Sequence, residues 1–124
     1  MSTYLKQISA DRGLLDRTRF AAMHALIQKE AESPEWDEVG TVLSVRKAKG
    51  FYQTCRAMGI GLATEDGMAY TVDVNGAYLS SFFGPMIRCI APCVNDGTVV
   101  AEGDGMRYTV SFEDGKATIL CEET

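Results

Sequence analysis

Asp66-Gly67-Met68-Ala69-Tyr70-Thr71-Val72 returns thirty-eight positions later as Asp104-Gly105-Met106-Arg107-Tyr108-Thr109-Val110. In each copy an Asp-Gly pair stands between segments of alternating apolar and polar residues, the strongest short-range signal for a hairpin turn. Met68, Tyr70, Val72 and Val74 form one row and Ala69, Thr71 and Asp73 the opposite one, because side chains alternate across a strand. Met106, Tyr108, Val110 and Phe112 keep the same register, opposed by Arg107, Thr109, Ser111 and Glu113. One face of the sheet is therefore expected to be buried and the other wet, as in an antiparallel sheet covered on one side.

Working outward, Ile60 to Thr64 precedes the first copy and Thr98 to Glu102 the second. A further turn follows each. Asn75-Gly76 leads into Ala77 to Phe83 and Asp114-Gly115 into Lys116 to Cys121, so each copy reads as a three-stranded meander. Residues 84 to 97 join them, with Met86 to Ile90 read as extended and Ser80-Ser-Phe-Phe-Gly-Pro85 as a break.

The N-terminal side reads as helical. Ser9 as N-cap and Asp11 near the start predict a helix over residues 10 to 32. Its apolar residues, Leu14 and Leu15 through Ile27, cover most of the circumference and leave a polar stripe of Arg17, His24 and Gln28. So wide an apolar arc is buried on more than one side, against a second helix or a second copy of the chain. Ser33-Pro34-Glu35-Trp36-Asp37-Glu38 has the form of a second helix start, closed by the cations Arg46, Lys47 and Lys49 and by Gly50, although the β-branched run Thr41-Val-Leu-Ser-Val45 also fits a strand. Phe51 to Met58 fits either a short helix stopped by Gly59 or an entry strand. The predicted fold class is α+β, an N-terminal helical region (1–59) packed on a strongly curved antiparallel sheet of about six strands (60–124). At 124 residues the chain forms one domain, residues 1–124, large enough to bury a core without disulfides or metal.

Charge is unevenly placed. Residues 1–59 carry nine Lys/Arg against seven Asp/Glu, and residues 60–124 carry three against ten. The second half should repel nucleic-acid phosphates and suits a basic protein partner. No apolar run is long enough to span a bilayer and no secretory leader pattern is present, so the expected setting is cytosolic and off the membrane, with Cys55, Cys89, Cys93 and Cys121 as reduced thiols.

Candidate chemistry is sparse. Cys89-Ile90-Ala91-Pro92-Cys93 lacks the spacing and the second close pair of a structural zinc site, so no metal and no cofactor is expected. His24 with Cys55 or Cys89 is a Cys-His pair only if the helix presents His24 to a cleft. Asp66, Asp96, Asp104 and Asp114 each precede Gly and belong to turns, leaving Asp73 and Glu113 as carboxylates free to face a partner. Arg46, Lys47, Lys49 and Arg56 gather beside Phe51 and Tyr52 and suit a phosphate-bearing ligand or an acidic surface. Met68, Tyr70, Met106, Tyr108 and Phe112 would line any pocket between sheet and helices. No catalytic constellation is visible. The reading is a small acidic, non-enzymatic module that occupies a partner's surface. The alternative is a small-ligand protein, or modest enzyme, built on that pocket.

Overall fold

A computed structural model of the protein describes residues 4–36 and 40–124. Asp37 and Glu38, expected in a first helical turn, lie outside them. The chain runs through β1 (Lys6–Ala10), β2 (Leu15–Asp16), α1 (Phe20–Ala31), α2 (Gly40–Lys47), α3 (Phe51–Met58), β3 (Gly61–Thr64), β4 (Ala69–Asp73), α4 (Phe83–Ile90), β5 (Gly97–Gly103), β6 (Met106–Glu113) and β7 (Lys116–Glu123). All strand pairing is antiparallel, in a four-stranded sheet ordered β1-β5-β6-β7 and a three-stranded sheet ordered β2-β4-β3. The class is α+β, and the strands do not close into a barrel. No described helix is long and apolar enough to cross a membrane.

Both copies of the repeat form hairpins, β3-β4 and β5-β6, and in each the second strand is central in its sheet. Only the second copy continues as a meander. Val99 and Ala101 of β5, Val110 and Phe112 of β6 are buried, while Arg107 and Glu113 point outward to water. The inner row thus has the register that the alternating pattern requires.

The expected helix over 10–32 is corrected at its first third. Asp11 donates its N–H to Thr98 O (2.9 Å) and its carboxylate accepts from Thr98 N–H (2.8 Å), extending the β1–β5 edge, while Leu14 and Leu15 are 1% and 3% exposed. Long-range pairing outcompetes the local cap signal at Ser9 and Asp11. The working cap is Asp16, whose Oδ1 accepts from Thr18 N–H (2.9 Å) and opens a 3₁₀ turn at Arg17–Arg19 that runs into α1.

The third strand expected at Ala77–Phe83 is likewise replaced. Among the described residues a single bridge, Tyr4 to Tyr78, is all the strand pairing there, and Phe83–Ile90 is helix rather than extended chain. Pro85 stands in the first turn of α4, where its missing N–H costs nothing because those donors lack intrahelical partners. Phe83, Met86, Ile87 and Ile90 follow at helical spacing and are buried. The second helix start produces a 3₁₀ turn at Pro34–Trp36 and then α2, and Gly50 caps the start of α3 instead of ending α2. Phe51–Met58 is helix, stopped by Gly59 at φ 76°.

Part of the apolar arc of α1 packs on α2, α3 and α4, with Met23, Ile27 and Ala31 fully buried, while Ala21, Ala22 and Ala25 are exposed. Its polar stripe is spent on α2: Gln28 Nε2 donates to Val45 O (2.7 Å), and His24 Nε2 lies 3.0 Å from Ala48 O. Those side chains satisfy carbonyls that a helix end leaves open. α4 touches both α1 and β7, and so spans the space between the helices and the four-stranded sheet. Tyr4–Gln7 straps the two sheets together: Leu5 N–H donates to Ala77 O (2.8 Å), Gly76 N–H to Leu5 O (2.7 Å), and Val74 N–H to Gln7 Oε1 (2.9 Å).

Candidate functional site: an apolar cavity beneath the sheet

Between the inner face of the four-stranded sheet and α4 lies a cavity of about 430 Å³, inside the ~300–1,000 Å³ range of small-molecule sites. The repeat builds two of its walls. Val72 and Val74 come from the first copy, and Val110 and Phe112 stand at the matching positions of the second. Phe51 and Cys55 of α3 and Met86 and Ile87 of α4 add further apolar surface. An imperfectly filled space here follows from geometry, since α4 is short and spans the gap between the helices and the four-stranded sheet.

Polar groups in the lining are few: Cys55, Ser80, Ser81, Arg88 and Tyr108. Burial pushes the Cys55 thiol up to about 12, so it stays protonated at neutral pH and behaves as a small apolar group. Desolvation also raises the Tyr108 phenol, with its neighbour Cys121 adding to the effect. Ser80 Oγ is buried and has no hydrogen-bond partner. Arg88 and Ser81 are exposed and mark the rim. Among the described residues no His, Asp or Glu lines the cavity.

Of the pocket residues read from the sequence, Tyr108 and Phe112 are in the lining. Tyr70 is buried elsewhere, its ring 5.0 Å from that of Phe20, and Met68 is exposed at the first hairpin. Met106 is half-buried outside the cavity. The α4 residues are the part of the site that strand reading missed. Their 83, 86, 87, 90 spacing was the available signal, masked by the Gly84-Pro85 pair.

The basic cluster is not assembled at the cavity. Arg46 donates to Ala31 O (2.6 Å) and Ser33 O (3.3 Å), closing the C-terminal end of α1. Lys47, Lys49 and Arg56 are exposed, and none of the four lines the cavity. Asp73 and Glu113 belong to different sheets. Asp73 Oδ1 accepts from Asn75 N–H (2.9 Å) in a turn, and Glu113 is exposed across from Lys116. On the outer face of the four-stranded sheet Glu102 pairs with Arg107 (2.6 Å), which also stands opposite Glu122. Acidic residues thus alternate with cations there, and much of the negative excess sits at turns: Asp66, Asp73, Asp96, Asp104 and Asp114.

The thiols do not gather with His24, whose ring is held at Ala48 O. Cys89 donates to Met86 O (3.1 Å), and burial, with Glu30 nearby, raises it to about 12. Among the described residues no three His, Cys, Asp or Glu side chains group as metal ligands. No family model, curated protein or solved structure matches the chain.

Proposed function

We propose that the protein binds a small, largely apolar molecule in the cavity between the four-stranded sheet and α4, as a carrier or sensor rather than as a catalyst. The observation that carries this reading is the cavity itself: about 430 Å³ enclosed by aliphatic and aromatic side chains, with its few polar groups placed in the α3 wall, on the sheet and around α4. Apolar surface left without packing partners forfeits dispersion contacts, and a ligand that fills it recovers them. Reading the chain as a module that occupies a basic partner's surface draws on the acidic second half. The carboxylates' dispersal over turns gives that reading less support than the cavity gives ligand binding.

Nile red, a neutral apolar dye, is the direct probe. Titration should give one saturable site per chain with blue-shifted emission, and ligand at a hundredfold its Kd should add about 2.7 kcal/mol to the folded state, seen as a rise in Tm. Ala101→Leu, which places a larger side chain in the lining, should abolish dye binding while the circular dichroism spectrum stays native. Absence of dye binding to the folded wild-type protein would overturn the proposal.

A further inference from the structure

We infer that the molecule held in this cavity is an amphiphile with a single carboxylate, its apolar body inside and its head on the Arg88 guanidinium at the first turn of α4; the inference rests on the ligand-binding reading above. Arg88 is the only charged residue in the lining. Ten carboxylates populate residues 60–124, yet no described residue pairs with its guanidinium. Arg107, the other arginine of that half, is engaged by Glu102 through both Nε (3.1 Å) and Nη2 (2.6 Å). An arginine left without a carboxylate in so acidic a surface, at the edge of an apolar space, is a vacancy of matching chemistry.

Three groups lie along the start of α4. Arg88 Nη1 lies 3.3 Å from where a Cβ on Gly84 would stand, and Ile119 Cδ1 lies 3.7 Å from the same position. The solvent-exposed guanidinium therefore folds back one helical turn, over Gly84 at the start of α4 and beside the sheet wall. A side chain at position 84 would displace it, so Gly84 leaves the room the guanidinium occupies. Ser80 is the second group. Its carbonyl accepts from Phe83 N–H (3.1 Å) at that same turn, and its hydroxyl is the buried polar atom without a partner. A buried hydroxyl with no partner costs about 1–3 kcal/mol, which a ligand oxygen reached by a χ1 rotation would relieve. The third is the helix start itself, where Phe82 supplies no side-chain cap and the macrodipole is positive.

One guanidinium matches one carboxylate, through two parallel N–H···O bonds. A phosphate dianion would bring a second negative charge into the acid-rich half with no second cation among the lining residues to meet it. The apolar walls exclude a ligand that is polar along its length. What remains is a medium-chain carboxylic acid or an aromatic acid of similar bulk.

The test compares decanoate with its methyl ester and with decanol on the full chain, by Nile red displacement and by titration calorimetry. Decanoate should bind about tenfold tighter than either neutral analogue, the scale expected when a hydrogen-bonded charge is removed. Arg88→Gln should erase that preference, bringing decanoate to the affinity of the neutral analogues, and Ser80→Ala should narrow it. Equal affinity for the three compounds, or an undiminished preference in the Arg88→Gln variant, would overturn the carboxylate assignment and leave apolar-ligand binding standing. Failure of Nile red to bind at all would remove both.

Discussion

The two copies of Asp-Gly-Met-x-Tyr-Thr-Val differ at one residue, Ala69 against Arg107, yet they fold into different turns and enter different sheets. In the second copy Asp104 and Gly105 both have positive φ (53° and 75°), giving a two-residue type I′ loop between Gly103 and Met106. In the first, only Gly67 is left-handed (φ 80°), and four residues separate β3 from β4. The flanks explain this. Thr64 Oγ1 accepts from Gly67 N–H (2.9 Å) and donates to Ala69 O (2.8 Å), while Asp66 Oδ1 takes Met68 N–H (2.8 Å) and Ala69 N–H (2.9 Å). Glu102 stands where Thr64 would, and it pairs across the strands with Arg107 instead. A shared heptad specifies strand, turn and strand; its neighbours choose the turn, and tertiary contacts choose the partners.

The largest divergence comes after the second turn, where the first copy makes α4 and the second makes β7. Phe82, just before α4, is fully buried with its ring 5.2 Å from Trp36, whereas Leu120 of β7 is 52% exposed. Phe82→Ala should therefore destabilise the protein by roughly 3–5 kcal/mol. Leu120→Ala should stay within about 0.5 kcal/mol. Urea denaturation of both variants checks the pair. Equal losses would mean that β7, too, carries a buried outer row, and the comparison would fail.

That divergence also marks how far the sequence could be read. The alternation in Tyr108, Val110 and Phe112 identified β6, its hairpins and its buried face from local pattern alone, because a period of two has few competing solutions. The cations Arg46 and Lys47 do mark the last turn of α2, although Gly50 caps α3 rather than closing α2, and Gly59 ends α3. What escaped was decided at a distance. Asp11 looks like a helix-start carboxylate until Thr98, eighty-seven residues away, takes it as a strand partner. Tyr70 and Tyr108 have the same local sequence, but only Tyr108 faces the cavity, since Tyr70 is covered by Phe20 and paired with Leu15 of a strand that no local signal predicts. The site was half legible for the same reason: its sheet wall follows from alternation, whereas its other wall is a helix with Gly84-Pro85 in its first turn.

The turns themselves offer a smaller and more discriminating contrast, because the same substitution should act differently in the two copies. Asp104→Gly places glycine at a position already left-handed, where the Cβ strain it removes and the chain entropy it adds roughly cancel, so stability should change by less than about 0.5 kcal/mol. Asp66→Gly removes a carboxylate that holds two backbone N–H groups and should lower the denaturation midpoint measurably, with faster amide exchange at Met68 and Ala69. If both variants behave alike, the two turns are not the distinct structures described here.

The smallest effect is a pH dependence at the first turn. The Asp66 carboxyl sits below its usual value of 3.8, chiefly because it accepts the Met68 and Ala69 backbone N–H groups, with the Thr64 hydroxyl assisting. A carboxyl whose pKa is lower in the folded than in the unfolded chain stabilises the fold when ionised. Its contribution is thus complete above the unfolded value of 3.8 and fades as pH falls through the lower folded value. In the second turn the Asp104 carboxylate holds no backbone N–H among the described residues. Backbone amide shifts followed by NMR from neutral pH into this acid range should show Met68 and Ala69 titrating together, ahead of any global unfolding. Their counterparts Met106 and Arg107 should not follow that curve. Coincident curves for the two pairs would show that the carboxylate in the first turn does no more than its copy in the second, and the distinction would rest on backbone geometry alone.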